Sequence, residues 1–158
     1  MSGALQFPWQ QEAVIRHSQR LLDSFKHWMG HSLLETSGSS LEIAQQLFEA
    51  PFILVSHGTE SDPIFNYGNR RALELWELSW QEFTRMPSRK SVAAVEHEER
   101  DRLLVEAATK GFVTNYSGVR TSSSGQRFYI KDIILWNVLD EQNQRCGQAA
   151  FFSKYQFM

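Results

Sequence analysis

The chain has little cysteine and almost no excess of charge. Its 158 residues include a single cysteine, Cys146, and 16 basic residues against 18 acidic ones. One cysteine excludes an internal disulfide and is typical of the reducing cytoplasm, so we expect that location. The near balance of charge leaves no general basic field, which argues against direct binding of nucleic acid. No apolar run approaches the ~20 residues that a membrane span needs, so we expect no membrane contact.

Apolar and aromatic residues, in contrast, are plentiful. Hydrophobic residues make up 42% of the chain and aromatic residues 13%, with 11 phenylalanines and 5 tryptophans. At this chain length, these side chains are sufficient for one domain with a packed core.

The stretch Pro51–Trp76 organises the chain, and its pattern indicates strand, turn, strand, tight turn and helix. The apolar, β-branched run at residues 51–56 predicts a buried strand. After a polar turn, Ile64–Tyr67 alternates as a half-buried strand does. Asn69 is then placed to accept hydrogen bonds from the first amides of a helix over Arg70–Leu78.

Capping signals and periodicity predict the remaining elements. An amphipathic helix over Trp9–Met29 ends at Gly30, and a capping box of Ser39 and Glu42 begins the next helix. Ser79 is placed to cap another short helix. The second half of the chain is predicted to form one long helix and three strands: Glu96–Lys110, Phe112–Thr121, Gln126–Val138 and Cys146–Tyr155.

The order of strand, strand with an aromatic-x-Asn turn, and short helix resembles the opening of a PAS domain. Several blocks are similar to the MEKHLA domain, a PAS-like family: DPIFNYGN (62–69), LELWELSWQEFTRMPSR (73–89), EER (98–100), YSGVRTSSSGQRF (116–128) and WNVLDEQNQRCGQAAFF (136–152). That family occurs as stand-alone bacterial proteins, the type this short chain resembles, and at the C-terminus of plant class III homeodomain–leucine-zipper transcription factors. It has no established ligand or reaction.

The resemblance implies an α+β fold, with a PAS-like five-stranded antiparallel sheet and helices over one face. It implies a PAS-like domain at residues 51–155 that follows an N-terminal helical extension at residues 1–50.

Apolar and aromatic side chains of these elements are the candidate ligand-binding residues. In a PAS-like fold a ligand lies between the helices and the sheet. The residues that we expect to line its pocket are Phe65, Tyr67, Trp76, Trp80, Phe83, Tyr116, Phe128, Ile130, Asp132, Ile134 and Trp136. The rings fit either simple core packing or a mostly apolar cavity.

Asp132 is the polar exception on its strand. Period-2 counting predicts one shared face for Phe128, Ile130, Asp132, Ile134 and Trp136. An inward Asp132 would need a partner and could orient a ligand, whereas a bulge or an edge position would leave it in water.

We assign no cofactor or metal from the sequence. A covalent flavin site of the PAS class needs a cysteine in an Asn-Cys-Arg-Phe-type motif on a central helix, and the chain lacks that motif, with Cys146 at the start of its last strand. His97 lies between two glutamates and is expected to be solvated rather than a haem ligand. His27 and His31 are four residues apart, but no third metal ligand is near them in the sequence.

Three functional hypotheses follow. The first is a non-enzymatic sensory or regulatory module that binds a small apolar or amphipathic molecule, or a partner protein, and passes the change through its N-terminal helix. The second is a protein-interaction domain with a filled core. The third is a small cavity enzyme that uses Asp132 with Tyr67 or Tyr116 as acid and base. The N-terminal helix either packs on the domain or pairs two copies into a homodimer.

Overall fold

The structure, a computed structural model, describes residues 7–93 and 96–158. Within these ranges the five helices are α1 (Glu12–Met29), α2 (Ser40–Phe48), α3 (Arg70–Trp76), α4 (Trp80–Phe83) and α5 (His97–Lys110). The six strands of the same residues are β1 (Ile53–His57), β2 (Phe65–Gly68), β3 (Phe112–Thr121), β4 (Arg127–Leu139), β5 (Arg145–Phe152) and β6 (Lys154–Phe157). Short 3₁₀ turns occur at Pro8–Gln10 and Ser88–Ser91.

Local capping chemistry sets the helix ends. Ser39 Oγ accepts a hydrogen bond from the Glu42 amide at 3.2 Å, and Glu42 Oε1 accepts one from the Ser39 amide at 2.9 Å. An equivalent box at Ser79 begins α4. Gly30 ends α1 with a left-handed φ of 80°. These capping predictions are confirmed.

The strands form one antiparallel sheet in the order β2-β1-β5-β4-β3, so the predicted five-stranded α+β architecture is confirmed. A sixth strand, β6, pairs with the first half of β4. The sequence pattern predicted a single last strand over Cys146–Tyr155. The chain instead breaks at Ser153, because β5 pairs with residues 134–139 of β4 and β6 pairs with residues 128–131.

Helices cover both faces of the sheet. The face that bears Ile53, Val55 and Ile130 lies under α3, α4 and α5, and we call it the cavity face. The opposite face bears Leu54 and Trp136 and lies under α1 and α2. We call it the N-terminal face.

The apolar stripe of α1 is buried against the N-terminal face. Val14, Leu21 and Phe25 are 7%, 0% and 1% exposed. The Phe25 ring meets Trp136 edge to face, with ring centroids 5.1 Å apart. This helix therefore packs on its own domain, which is one of the two predicted alternatives. None of the described helices combines the length and the apolar content of a bilayer span.

Two bulges interrupt the β3–β4 ladder. The register partners around them are Val113 with Leu135, Tyr116 with Ile133, and Gly118 with Ile130. The extra residues are Asn115 on β3 and Asp132 on β4, with φ of 58° and 55°. A left-handed residue without a ladder partner is typical of a bulge.

The bulge at Asp132 makes the period-2 interpretation of β4 wrong. Alternation predicted Asp132, Ile134 and Trp136 on the same face as Phe128 and Ile130. Because Asp132 adds one residue to the strand, Ile134 and Trp136 instead pack on the N-terminal face, while Phe128 and Ile130 pack on the cavity face.

Candidate functional site

A cavity of about 70 Å³ lies between the cavity face of the sheet, helices α3 and α5, and the turn Ser88–Ser91. Much of its wall is apolar, from side chains such as Val55, Leu103, Ile133 and Leu135. The wall also contains residues with polar side-chain atoms: His57, Trp76, Ser88, Ser91, Arg100, Tyr116, Arg120 and Gln148. A mostly apolar cavity with a few polar groups is the usual form of a small-molecule site.

Arg100 of α5 brings a positive charge to this wall although it is only 8% exposed. Its Nη2 donates to Ser88 Oγ, and its Nη1 donates to Asp101 Oδ1 at 2.9 Å. Burial lowers the pKa of the Arg100 guanidinium and the Asp101 carboxylate opposes that effect. An arginine with these partners stays protonated at neutral pH. Asp101 is 68% exposed at the surface, and no described carboxylate side chain lines the cavity.

A second guanidinium reaches the cavity from β3. Arg120 Nη2 donates to the hydroxyl of Tyr116 at 2.6 Å, and Arg120 Nη1 donates to the carbonyl of Val119 at 2.9 Å. The guanidinium carbon lies 5.7 Å from the centroid of the Tyr116 ring. In the part of the chain that the structure describes, Arg120 forms no ion pair.

His57 and Trp76 each present a buried ring nitrogen without a partner. His57 Nδ1 donates to the carbonyl of Gly58 at 2.9 Å, so its Nε2 carries a lone pair. Burial lowers the pKa of His57, which keeps the ring neutral and Nε2 an acceptor. Neither this Nε2 nor the indole Nε1 of Trp76 has a hydrogen-bond partner among the described residues. Such groups in a folded protein call for a water or a ligand.

Gln148 and Asn137 connect the cavity to the N-terminal face. Gln148 Nε2 donates to the carbonyl of Leu104 at 2.8 Å and to Asn137 Oδ1 at 3.2 Å. Asn137 Nδ2 donates to the carbonyl of Ala108 at 3.2 Å. The carbonyl of Asn137 accepts a hydrogen bond from Trp28 Nε1 of α1 at 2.9 Å. One strand residue therefore touches both α5 and α1.

Residues 15–157 match the MEKHLA domain, from within α1 to the end of β6. The chain belongs to the MEKHLA domain family. No curated protein matches it.

Solved structures similar to this MEKHLA domain are PAS and light-oxygen-voltage domains. A PAS domain of a protein from Colwellia psychrerythraea shares 14% identity, with 73% of this chain and 92% of that one covered and a TM-score of 0.60. The photo-excited blue-light photoreceptor Vivid shares 14% identity over 85% of this chain and 94% of that one, with a TM-score of 0.58. A PAS domain from a two-component sensor histidine kinase shares 18% identity over 72% and 91%, with a TM-score of 0.56. At these identities the likeness shows the fold alone, which is that of PAS domains.

The structure divides the predicted ligand-binding residues of the MEKHLA domain between the two faces. Those on the cavity wall are Phe65, Trp76, Tyr116 and Ile130. Phe83 and Phe128 lie on the same face but pack around Trp76, with ring centroids 5.8 and 5.3 Å from its own. Those on the N-terminal face are Tyr67, Trp80, Ile134 and Trp136.

Asp132 lies outside the cavity altogether. Its side chain is 59% exposed, and its Oδ2 accepts a hydrogen bond from Lys154 Nζ at 3.2 Å. Tyr67 lies on the other face of the sheet, where burial raises the pKa of its hydroxyl. Tyr116 reaches the cavity, but its hydroxyl already accepts a hydrogen bond from Arg120 Nη2. The acid–base pair that the enzyme hypothesis requires is therefore not assembled in the MEKHLA domain.

Sequence reasoning missed the polar wall of the cavity. Arg100 stands at helical spacing from Leu103 and Ala107, which form the inner stripe of α5, so its position on that stripe was a usable signal. His57 and the Gly58 that follows it have the composition of a turn after the apolar run at residues 51–56, so the pattern alone does not predict that His57 lines a cavity. Arg120 carried no signal of its own, since only the approach of β3 to α5 brings it to the cavity.

The other residues considered for cofactors lie elsewhere. His97 Nε2 donates to the carbonyl of Val92 at 2.8 Å. Cys146 packs on the N-terminal face, where burial raises the pKa of its thiol. Among residues 7–93 and 96–158, no three His, Cys, Asp or Glu side chains are grouped to hold a metal ion.

Proposed function

We propose that this MEKHLA domain is a non-enzymatic sensory or regulatory module that binds a small amphipathic molecule in the cavity. The observation that carries the proposal is an apolar cavity lined by two residues that each carry a buried ring nitrogen without a partner, His57 Nε2 and Trp76 Nε1. A ligand that supplies those hydrogen bonds gains affinity because the groups are already desolvated.

The size of the cavity favours a small ligand. About 70 Å³ is several-fold below the ~300–1,000 Å³ of pockets for drug-sized molecules. The cavity itself argues against the alternative of a protein-interaction domain with a filled core.

A surface groove supplies a route to the cavity. Arg100 and Leu104 border both the cavity and an outer groove that also includes Asp62 and Arg89. Asp62 accepts two hydrogen bonds from Arg89 Nε, each at 3.0 Å, beside this entrance. Movement of the Arg100 and Leu104 side chains would admit a ligand.

Binding is transmitted to α1 through β4 in this proposal. Gln148 on the cavity wall donates a hydrogen bond to the side chain of Asn137, and the backbone carbonyl of Asn137 accepts one from Trp28 of α1. The Trp28 ring also packs on Gly111 at the end of α5, so closely that a Cβ there would lie 2.3 Å from Trp28 Cζ3. A ligand that prefers one position of α5 would therefore shift the balance of α1 positions.

Binding is tested with native mass spectrometry of the purified protein and a thermal-shift panel of charged and neutral metabolites. Ala150 faces the cavity from β5, so Ala150→Leu fills the space and should abolish the ligand-induced shift while the fold survives. Ala108→Leu, the same change on the exposed side of α5, should leave the shift intact. No bound molecule and no shift with any compound would refute ligand sensing.

Transmission is tested by hydrogen exchange of the α1 amides with and without ligand. Trp28→Phe keeps a ring against Gly111 but removes the hydrogen bond to Asn137, so ligand-dependent protection of α1 should fall while affinity is retained. Equal protection in the variant and the parent protein would refute this route.

Homodimerisation through the N-terminal helix and a cytoplasmic location stay predictions. Since Leu21 and Phe25 are buried within the protein, a dimer would use the outer side of α1, which includes Arg16 and Gln19. Light scattering coupled to size-exclusion chromatography distinguishes one copy from two. A partner protein that contacts the same outer side is the second way in which α1 could deliver the signal.

A further inference from the structure

The cavity holds an unbalanced positive charge. Arg100 and Arg120 both line it, and no described carboxylate side chain lies on its wall. Arg100 has one ion pair, with Asp101 at the surface, and Arg120 has none among the described residues. The unpaired guanidinium, that of Arg120, is half-buried, and a guanidinium fork fits a carboxylate well.

Two residues that line the cavity carry unpartnered ring nitrogens, which add a second requirement. His57 Nε2 is a buried acceptor that lacks a donor, and Trp76 Nε1–H is a buried donor that lacks an acceptor. A ligand that satisfies both therefore carries a donor group beside its acceptor oxygens. An ammonium donor is disfavoured because it would enter a cavity that already contains two guanidinium groups. A hydroxyl meets the requirement without that repulsion.

We propose that the cavity binds a small hydroxycarboxylate anion, with its carboxylate at Arg100 and Arg120 and its hydroxyl donating to His57 Nε2. This inference rests on the proposed function, because it names the ligand class of the same cavity. The volume of about 70 Å³ corresponds to roughly five or six water-sized spheres. That is the size of a two- or three-carbon hydroxy acid.

The first test compares four probes of nearly equal size by isothermal titration calorimetry on the full chain. L-lactate has the carboxylate and the hydroxyl, propionate lacks the hydroxyl, propane-1,2-diol lacks the charge, and L-alanine replaces the hydroxyl with an ammonium. We expect lactate to bind roughly 10- to 100-fold more tightly than the diol and roughly 3- to 10-fold more tightly than propionate. Alanine should bind more weakly than propionate.

The second test uses a matched pair of arginine variants on the β3–β4 hairpin. Arg120→Gln removes the charge at the cavity and should weaken lactate roughly 10- to 100-fold with little change for the diol. Arg127→Gln removes an exposed charge that does not line the cavity, so it should bind lactate as the parent protein does. Urea unfolding of both variants establishes that they are folded. The comparison of the four probes uses the parent protein, so it tests the proposal even if a variant does not fold.

The outcomes separate this inference from the proposed function. Equal affinity for lactate and the diol, or an Arg120→Gln variant that binds lactate like Arg127→Gln, overturns the anion site. A thermal shift with neutral compounds and none with lactate, glycolate or propionate also overturns it, but leaves ligand sensing standing. No response to any compound in the panel overturns both.

Discussion

Asn69 offers the sharpest test of how this fold is held together. Its side chain is fully buried at the junction of β1, β2 and α3. Oδ1 accepts hydrogen bonds from the amides of Leu54 and Ala72, each at 3.2 Å, and Nδ2 donates to the carbonyl of Phe52 at 2.8 Å. The side chain thus caps α3, as predicted, and also extends the ladder of β1 beyond the end of β2.

Replacement of Asn69 by alanine removes all three bonds. Loss of the helix cap costs about 1 kcal/mol. The amide of Leu54 and the carbonyl of Phe52 lose their side-chain partner in a buried place, at about 1–3 kcal/mol each. We expect Asn69→Ala to lower the free energy of unfolding by about 3–7 kcal/mol, which lowers the melting temperature by roughly 6–28 °C.

Urea unfolding followed by tryptophan fluorescence measures this loss. Gln142→Ala, in the exposed β4–β5 turn, is the control and should change stability by less than about 0.5 kcal/mol. Asn69→Asp keeps the acceptor but loses the donor to Phe52, so its carboxyl pKa should rise in the folded state. Its stability relative to Asn69→Ala should then increase as the pH falls. A loss below about 1 kcal/mol for Asn69→Ala would refute the reasoning.

Three further predictions concern the sheet and the helix α1 that packs on it. Burial, with a contribution from Arg20, lowers the pKa of His17 from 6.5 to about 4. As the pH drops from 6.5 to 4, His17 becomes protonated in the unfolded chain before it does in the folded one, so the free energy of unfolding falls. His17→Gln should remove this pH dependence, which amounts to at most about 3 kcal/mol of unfolding free energy, as measured by urea titrations at several pH values. An unchanged pH dependence in the variant would contradict the prediction. Gly147→Ala would place a Cβ 2.3 Å from the carbonyl oxygen of His57, so it should destabilise strongly in thermal melts. A Cβ at Gly118 would meet only side-chain atoms, Arg120 Nη1 at 3.1 Å and the Tyr116 hydroxyl at 3.3 Å, so Gly118→Ala should destabilise less. Asp132→Gly should change the free energy of unfolding by less than about 1 kcal/mol, because glycine accepts the left-handed φ of this position. Asp132→Val should lower that free energy more, and equal losses in the two variants would refute the prediction.

Local chemistry is what made much of this fold predictable. The boxes at Ser39 and Ser79, the left-handed stop at Gly30 and the cap at Asn69 each depend on residues within a few positions of one another. The apolar stripe of α1 likewise predicted an amphipathic helix. It did not predict that the stripe covers the face of the sheet opposite to α5, because periodicity gives the orientation of a helix without naming its partner.

The candidate site was less accessible to sequence reasoning. Period-2 counting carried Trp136 to the wrong face. The charged Asp132 among apolar neighbours had left a bulge open as an alternative, and the structure has that bulge. The polar wall is a tertiary product, since Arg100 of α5 and Arg120 of β3 come from different elements and approach each other only through the packing on the cavity face. Within Pro51–Trp76, local patterns placed Phe65 and Trp76, which do line the cavity. They did not place Tyr67, which packs on the N-terminal face because the β1–β2 ladder is irregular between Ser56 and His57.

The bulges at Asn115 and Asp132 cancel each other. In each register pair the two residue numbers can be added, and the sum is the same for Val113–Leu135 and for Gly118–Ile130. It differs by one only between the bulges, at Tyr116–Ile133. Deletion of either extra residue alone would turn its bulge into regular ladder, because the register partners on its two sides stay the same and one residue then opposes one. Each bulge therefore lets its strand hold one more residue without turning over the side chains beyond it, so this hairpin can gain or lose a residue at either point independently.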